Sequence, residues 1–320
     1  MATTPDTPIL CLGEALIDVV IRGDNSAEHV GGSPLNVACV LTAMDHPTLI
    51  GAWWGKDARG QAIEEYAQAR NVGIVPGSDG AERTTVANAY LDEAGRATYE
   101  FDLLWEVPPL PAPHELRHLH TGSIAATLEP GGTDVLRAVK NMAVSGTVSY
   151  DPNARPTIMD SPVKVIKRIE ELIALSDVVK ASDEDIAWLY GEETPVEDVM
   201  RRWLAMGPGL VVVTRGPWGA YARLSNERDM LVIDPLNVEV GDTVGAGDSF
   251  MGGLLSGLLD AGLIGSTQAK AALRAARWDQ VTPALHRATI TSGLTVSHNG
   301  AYAPSRTEVE DVLTAQPLLR

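Results

Sequence analysis

One stretch of the 320-residue chain concentrates groups able to move charge: Gly241-Asp242-Thr243-Val244-Gly245-Ala246-Gly247-Asp248-Ser249-Phe250. An extended piece, Leu236 to Val240, precedes it, and an apolar helical pattern (Phe250, Met251, Leu254, Leu255, Leu258, Leu259) follows. Glycines let the backbone curl and bring amide N–H groups against a ligand. The start of the following helix aims its positive end at the same point. Gly245, Ala246 and Gly247 therefore read as an anion hole, most simply for a phosphate. Asp248 stands at its mouth. A carboxylate there makes sense as the base that takes a proton from a nucleophile while the helix end stabilises charge on the transferred group. Helix capping by Asp248 is the plainer explanation, but the Gly-Ala-Gly run is more than a cap needs.

Three other chemistries can be tested on the same residues. A dinucleotide fingerprint requires Gly-x-Gly-x-x-Gly, and Phe250 stands where the third glycine would be. A Walker-type loop requires Gly-Lys-Ser/Thr, which the chain lacks. Gly247-Asp248-Ser249 resembles the nucleophile block of GDS-type esterases, with Ser249 as the attacking group, but no Asp-x-x-His follows it. The esterase stays as the alternative of another class.

The elements that must position these groups alternate along the chain. Ile9–Leu12, Thr48–Ala52, His118–His120, Thr147–Tyr150, Val178–Val179 and Leu210–Val213 are short apolar runs that predict strands. Helical patterns lie between them, over Asn36–Met44, Ala58–Arg70, Thr133–Met142, Val163–Leu175 and Val196–Leu204. Such alternation predicts an α/β fold with a mostly parallel sheet covered by helices on both faces. Thr84–Tyr90 and Ala97–Phe101, joined through Asp92-Glu93-Ala94-Gly95, predict a hairpin. With Val19 to Val30 it would form a small β lid, built from about 15–30 and 84–106 of a single 1–320 domain. Val107-Pro108-Pro109-Leu110-Pro111-Ala112-Pro113 would be the stiff return from that lid. Polar groups sit where the apolar runs stop: Thr121-Gly122-Ser123, Asp151-Pro152-Asn153, Lys180-Ala181-Ser182 and Thr214-Arg215-Gly216. Ligands of open α/β sheets bind beyond the carboxyl ends of the strands, so these ends predict one shared site.

Composition narrows the class. Apolar residues make up 45% and charged residues 21%, as in ordinary globular chains. The net charge of −17 repels phosphate backbones and argues against nucleic acid as a partner. Cys11 and Cys39 form neither a disulfide framework nor a metal spacing. No apolar run approaches the ~20 residues that span a bilayer, and Met1 to Pro8 does not read as a signal peptide. A cytoplasmic enzyme without a membrane partner is expected. His118 and His120 are expected to be structural, and Trp53 and Trp54 to pack in the core.

Asp242 to Leu255 resembles the C-terminal signature of the PfkB (ribokinase-like) carbohydrate kinases. Gly31-Gly32-Ser33-Pro34-Leu35-Asn36-Val37-Ala38 is similar to that family's N-terminal signature, with Gly55 at the later spacing. Asp45 departs from the family's usual Gly or Ser, which should alter a turn and not the site. Gly13–Asp18, His120–Ile124, Glu129-Pro130 and Tyr150–Arg155 resemble fructokinase blocks. Kinases for 2-keto-3-deoxygluconate share much of this pattern.

The resemblance implies a ribokinase-like three-layer α/β/α fold with a lid over the sugar. It implies transfer of the γ-phosphate of ATP, with Mg²⁺, to a primary hydroxyl of a small sugar, most simply fructose. By it Asp248 is the base, Gly245, Ala246 and Gly247 are the anion hole, and Asp18, Gly32 and Asn36 hold sugar hydroxyls. Arg155 approaches the sugar or the phosphate. Lys180, Thr214, Gly216, Gly219 and Asn299 lie on the nucleotide side. Ser182-Asp183-Glu184-Asp185 stands for the family's Asn-x-x-Glu, with Asp185 reaching Mg²⁺ through a water. Asp242 and the Val244 carbonyl face a monovalent cation such as K⁺. The lid strands of such enzymes can pair into a homodimer. A sugar sensor without catalysis would share the scaffold, but Asp248 and its glycines argue against it.

Overall fold

The computed structural model describes residues 7–23, 25–91, 97–316 and 319. In chain order the first elements are β1 (Ile9–Leu12), β2 (Leu16–Arg22), β3 (Asn25–Gly31), α1 (Ser33–Ala43), β4 (Thr48–Gly51), α2 (Ala58–Gln68), β5 (Gly73–Ile74), β6 (Val86–Leu91) and β7 (Ala97–Asp102). Then come β8 (His118–Gly122), α3 (Gly131–Ser145), β9 (Thr147–Asp151), α4 (Pro156–Met159), α5 (Pro162–Leu175), β10 (Val178–Ser182), α6 (Asp183–Tyr190), α7 (Val196–Met206) and β11 (Leu210–Thr214). The last are β12 (Ala220–Leu224), β13 (Leu231–Ile233), α8 (Ala246–Asp260), α9 (Thr267–Ala275), α10 (Trp278–Val296) and α11 (Arg306–Ala315).

The main sheet has nine strands in the order β13-β12-β11-β10-β9-β8-β1-β4-β5. It is parallel from β5 to β11, and β12 and β13 add antiparallel at one edge. Each apolar run read as a strand lies in it. The two antiparallel edge strands are not among those runs: β12 alternates buried and half-buried residues and β13 spans only three residues.

Both faces of the main sheet are covered, which is why its inner strands read as near-continuous apolar runs. Side chains alternate across β1. Ile9 and Cys11 join the core formed with α1, α8 and α10, while Leu10 and Leu12 join the core formed with α3, α5 and α7. That is the three-layer α/β/α arrangement. Cys11 and Cys39 are buried in it as free thiols. Trp54 is fully buried and donates to Glu64 at 3.2 Å. His118 and His120 are buried beside Ser149, at 2.8 and 2.9 Å from its hydroxyl.

A second sheet, in the order β3-β2-β6-β7, stands apart from the first. β2 pairs antiparallel with β3 and parallel with β6, and β6 pairs antiparallel with β7. Ile17, Val19 and Val86 turn inward from it to the core. The turn Asp92-Glu93-Ala94-Gly95 lies outside the described residues. Asp45 adopts φ 63, a left-handed conformation natural to Gly and tolerated by Asp. Its carboxylate meets Arg306 at 3.1 Å.

His46, just before β4, makes a pH prediction possible. Its Nε2 lies 3.0 Å from Ser256 Oγ, and Arg117 donates to its Nδ1 at 3.0 Å. Burial pushes its pKa down to about 4, with Arg117, Arg306 and Arg287 adding to the shift against the pull of Asp260. An unfolded histidine takes its proton near 6.5. Between these values the unfolded chain binds the extra proton, so stability falls as pH falls through this window. The residue's share is about 1.4 kcal/mol per pH unit. Urea unfolding of wild type and His46→Gln at several pH values should show a shallower slope in the variant by about that amount; equal slopes refute it.

Candidate active site

The two glycine-led segments meet at one carboxylate. Gly32 holds φ 120 just before α1, and a Cβ there would lie 2.3 Å from the Glu14 carbonyl. No other residue fits so close an approach. The tight entry sets Ser33 and Asn36 in the first turn of α1. Ser33 Oγ donates to Asp248 Oδ1 at 2.6 Å, and Asn36 Nδ2 donates to Oδ2 at 2.9 Å. Residues 215 and 212 positions apart thus fix both oxygens of one acid. Asp248 is buried in the first turn of α8. Asn36 Oδ1 is buried and has no partner among the described residues.

Gly245 precedes α8 at φ 74, with a Cβ position 2.7 Å from the Ala301 methyl. A helix leaves its first amides without internal partners. Here the N–H groups of Gly245, Gly247 and Asp248 have none among the described residues. The Ala246 N–H turns back to the Thr243 carbonyl at 3.2 Å, so of the three residues expected to form the anion hole Ala246 is the one already engaged. Asp242 accepts from the Val244 amide at 3.0 Å and from the Gly300 amide at 2.9 Å. These bonds, that from Val244 first, hold its carboxyl below the usual range. Asp242 therefore ties the glycine segment to the turn that carries Asn299.

The neighbouring strand ends converge on the same edge. Lys180 Nζ is 2.7 Å from Asp151 Oδ2, and both residues are buried. Asp185 is buried too, accepting from the Ala154 amide and from the Ser182 amide, each at 2.7 Å. Its Oδ2 closes a capping box on α6 with Ser182, and its Oδ1 is taken by the Ala154 amide. Arg155 is exposed and folds onto its own loop, donating to Asn153 Oδ1 at 2.7 Å.

Asp18 lies on β2 opposite His29 and is exposed. Glu14 is buried, accepts from the Ala125 amide at 3.2 Å, and is pushed up to about 7 by burial, against hydrogen bonds from Ser123 and the nearby charge of Arg155. β11 ends on Thr214, whose hydroxyl donates to the Ala181 carbonyl at 3.3 Å, and the turn after it carries exposed Gly216 at φ 49. Gly219 is required by packing: its Cβ would lie 2.0 Å from the Ile233 carbonyl.

Ser249 is 1% exposed and its hydroxyl accepts from Thr295 at 2.7 Å. A serine nucleophile needs access and an adjacent base, so the esterase reading fails. Three residues at this edge had no role in the sequence reading: Ser33, Asp151 and Glu14. Asp151 and Glu14 were visible as acids at strand ends, and Ser33 as a hydroxyl in the first turn of a helix. Their partners lie far off in sequence.

The profile of the pfkB family carbohydrate kinases matches residues 6–307, and the chain belongs to that family: it is a sugar kinase. A fructokinase of Rhizobium leguminosarum bv. trifolii is 32% identical over 78% of this chain and 79% of its own length. The fold is similar to that of Xylella fastidiosa fructokinase with bound ATP, at TM-score 0.83 and 22% identity over 98% of this chain and 99% of that one. A Vibrio cholerae fructokinase double mutant, in a fructose, ADP and potassium ion bound form, superposes at TM-score 0.76 with 24% identity, covering 97% and 99%.

Proposed function

We propose that this enzyme transfers the γ-phosphoryl group of MgATP to a primary hydroxyl of fructose. The observation that carries the reading is the clamp of Ser33 and Asn36 on both oxygens of Asp248, in the turn where the Gly245, Gly247 and Asp248 amides have no partner among the described residues. In-line attack needs the alcohol oriented and deprotonated beside a site for the phosphoryl charge. Asp248 takes the proton. The amides of Gly245 and Gly247 receive the phosphoryl oxygens, with Ala246 completing the turn. Asn36 Oδ1 and Asp18 accept sugar hydroxyls, and Gly32 lets the sugar approach the backbone. Arg155, released from its loop, reaches the sugar or phosphate. Lys180, Thr214, Gly216, Gly219 and Asn299 border the nucleotide.

Among the described residues no three His, Cys, Asp or Glu side chains cluster as a metal cage. That fits Mg²⁺, which keeps its waters and binds largely through phosphates; when bound it would neutralise phosphate charge, with Asp185 reached through a water. Asp242 and the Val244 carbonyl are the place for K⁺. The small sheet acts as a lid on a single domain of 1–320, and the open edges of β3 and β7 are suited to pairing in a homodimer. A cytoplasmic location is part of the same proposal. Among the described residues no helix is long and apolar enough to cross a membrane.

Asp18, exposed on β2, supports fructose over 2-keto-3-deoxygluconate. A carboxylate beside the sugar disfavours a substrate that carries its own. Purified protein with MgATP and a panel of neutral sugars, sugar acids and esters decides it. Fructose should give the highest kcat/KM for ADP release, and Ser249→Ala should keep that activity within threefold. A higher kcat/KM with the sugar acid overturns the fructose assignment. Sugar binding without ADP, or ester cleavage lost in Ser249→Ala, overturns the kinase chemistry.

A further inference from the structure

Behind the anion hole stands a charge that the reaction as described leaves without a chemical part. Lys180 and Asp151 are 4% and 1% exposed, and Nζ lies 2.7 Å from Oδ2. Withdrawing two charges from water is costly, and a buried pair is weak evidence of stabilisation. The location suggests what it is kept for. A Cβ built on Gly247 would lie 3.2 Å from Lys180 Nζ, so the ammonium lies close against the first turn of α8. That is the turn with the unpartnered amides. The β9–β10 ladder runs through Val178↔Ser149 and Val179↔Tyr150 and stops there. Lys180 and Asp151 stand at the next register position, where pairing ends and the site begins.

The charges around Lys180 point the same way. Burial works against its ammonium, but Asp151, then Asp248 and Asp185, outweigh that and hold its pKa above the ordinary value. Burial pushes Asp151 up to about 6, against the opposing pull of Lys180. The Asn153 amide donates to Asp151 Oδ1 at 3.2 Å. One fixed cation thus lies among three acids, one of them the base.

We propose that Lys180 is the cationic floor of the anion hole and a catalytic residue for phosphoryl transfer, and that Asp151 is the positioning residue that keeps its ammonium there. The proposal rests on the kinase reading above. As the sugar oxygen bonds to the γ-phosphorus, the bond from phosphorus to the bridging oxygen breaks and its electron pair leaves on ADP. Asp248 receives the hydroxyl proton. Lys180 gives up no proton; its charge offsets the negative charge on the transferred oxygens, as preorganised donors do in a site shielded from water. Asp151 balances that charge at rest and prevents the long side chain from swinging away.

The test uses the full chain, with ADP release from MgATP and fructose as the readout and Asp248→Asn as control. Lys180→Met should lower kcat by about 10²-fold and leave KM for fructose within threefold. Asp151→Asn should lower kcat by roughly tenfold, with the same unchanged KM, and Asp151→Glu should restore part of it. Lys180→Met alone leaves a buried acid unpaired; if it does not fold, Lys180→Met/Asp151→Asn removes both charges and is read in its place, with the same 10²-fold loss expected. A folded variant lacking Lys180 whose kcat stays within threefold of wild type overturns the proposal. Wild type that releases no ADP with any sugar overturns the kinase reading instead, and an active Asp248→Asn removes only the base role of Asp248, so the failures are distinct.

Discussion

Replacing Asp248 by Asn should leave the protein folded and lower kcat by about 10³-fold, within the range that a positioned base contributes. Folding is preserved because the two bonds made by Asp248 can be remade. Asn36 Nδ2 is a donor and requires an oxygen, which the introduced carboxamide supplies on that side. The carboxamide nitrogen then faces Ser33, whose hydroxyl both donates and accepts. An amide has the same shape but cannot take up the alcohol's proton, so the loss falls on kcat and leaves KM for ATP and sugar within about threefold. Steady-state kinetics with thermal unfolding measures both; a folded variant within tenfold of wild-type kcat removes Asp248 from the base role. Ser33→Ala takes away one of the two positioning bonds and should cost roughly tenfold in kcat. Asn36→Ala should also raise the sugar KM, because it deletes the unpartnered Oδ1.

That experiment probes the part of the site which a single sequence displays least. The sheet was legible because its inner strands are buried on both faces and so read as apolar runs, and because the helices between them follow a clear period. β12 and β13 escaped notice: Tyr221 and Arg223 are only half-buried, and three residues carry no periodicity. The glycine turn before α8, proposed as the anion hole, was legible because the need for glycine before a helix is local. The clamp on Asp248 was not, because it depends on α1 and α8 packing side by side, a fact of topology. The same holds for Lys180. It was visible as a basic residue on a strand, but its partner is set by the order of β9 and β10 in the sheet. Asp185 was read as a metal-side acid by resemblance, whereas its hydrogen bonds to the Ala154 and Ser182 amides make it first a tie between two loops. Sequence displays what a residue can do alone, and the sheet order decides which of those capacities are brought together.

The glycines inside α8 carry that lesson to the helix that bears Asp248. Glycine within a helix costs about 1 kcal/mol against alanine, so Gly252, Gly253 and Gly257 count against the helical pattern that the leucines draw. Packing repays the cost. A Cβ on Gly252 would lie 2.6 Å from Val40 of α1, one on Gly253 2.2 Å from Thr291 Oγ1, and one on Gly257 2.5 Å from Ala284 Cα, both of the latter on α10. The contact at Gly257 is with backbone, which cannot turn aside as a side chain can, so any larger residue there must push α8 off α10. Gly257→Leu should therefore lose ~3 kcal/mol or more of stability, and a Tm lower by at least about 6 °C at roughly 2 °C per kcal/mol. The displacement should also reach Asp248 at the head of the same helix, where a shift of about 1 Å costs on the order of 10²-fold in rate. Urea and thermal unfolding, with kcat measured well below the lowered Tm, separates the two effects. Gly262→Ala is the comparison: it lies just beyond the end of α8 and its Cβ would meet nothing within 4 Å, so it carries only the strain of its own φ of 67. If Gly257→Leu unfolds no more readily than that comparison, close approach of α8 to α10 is not what holds Asp248 in place.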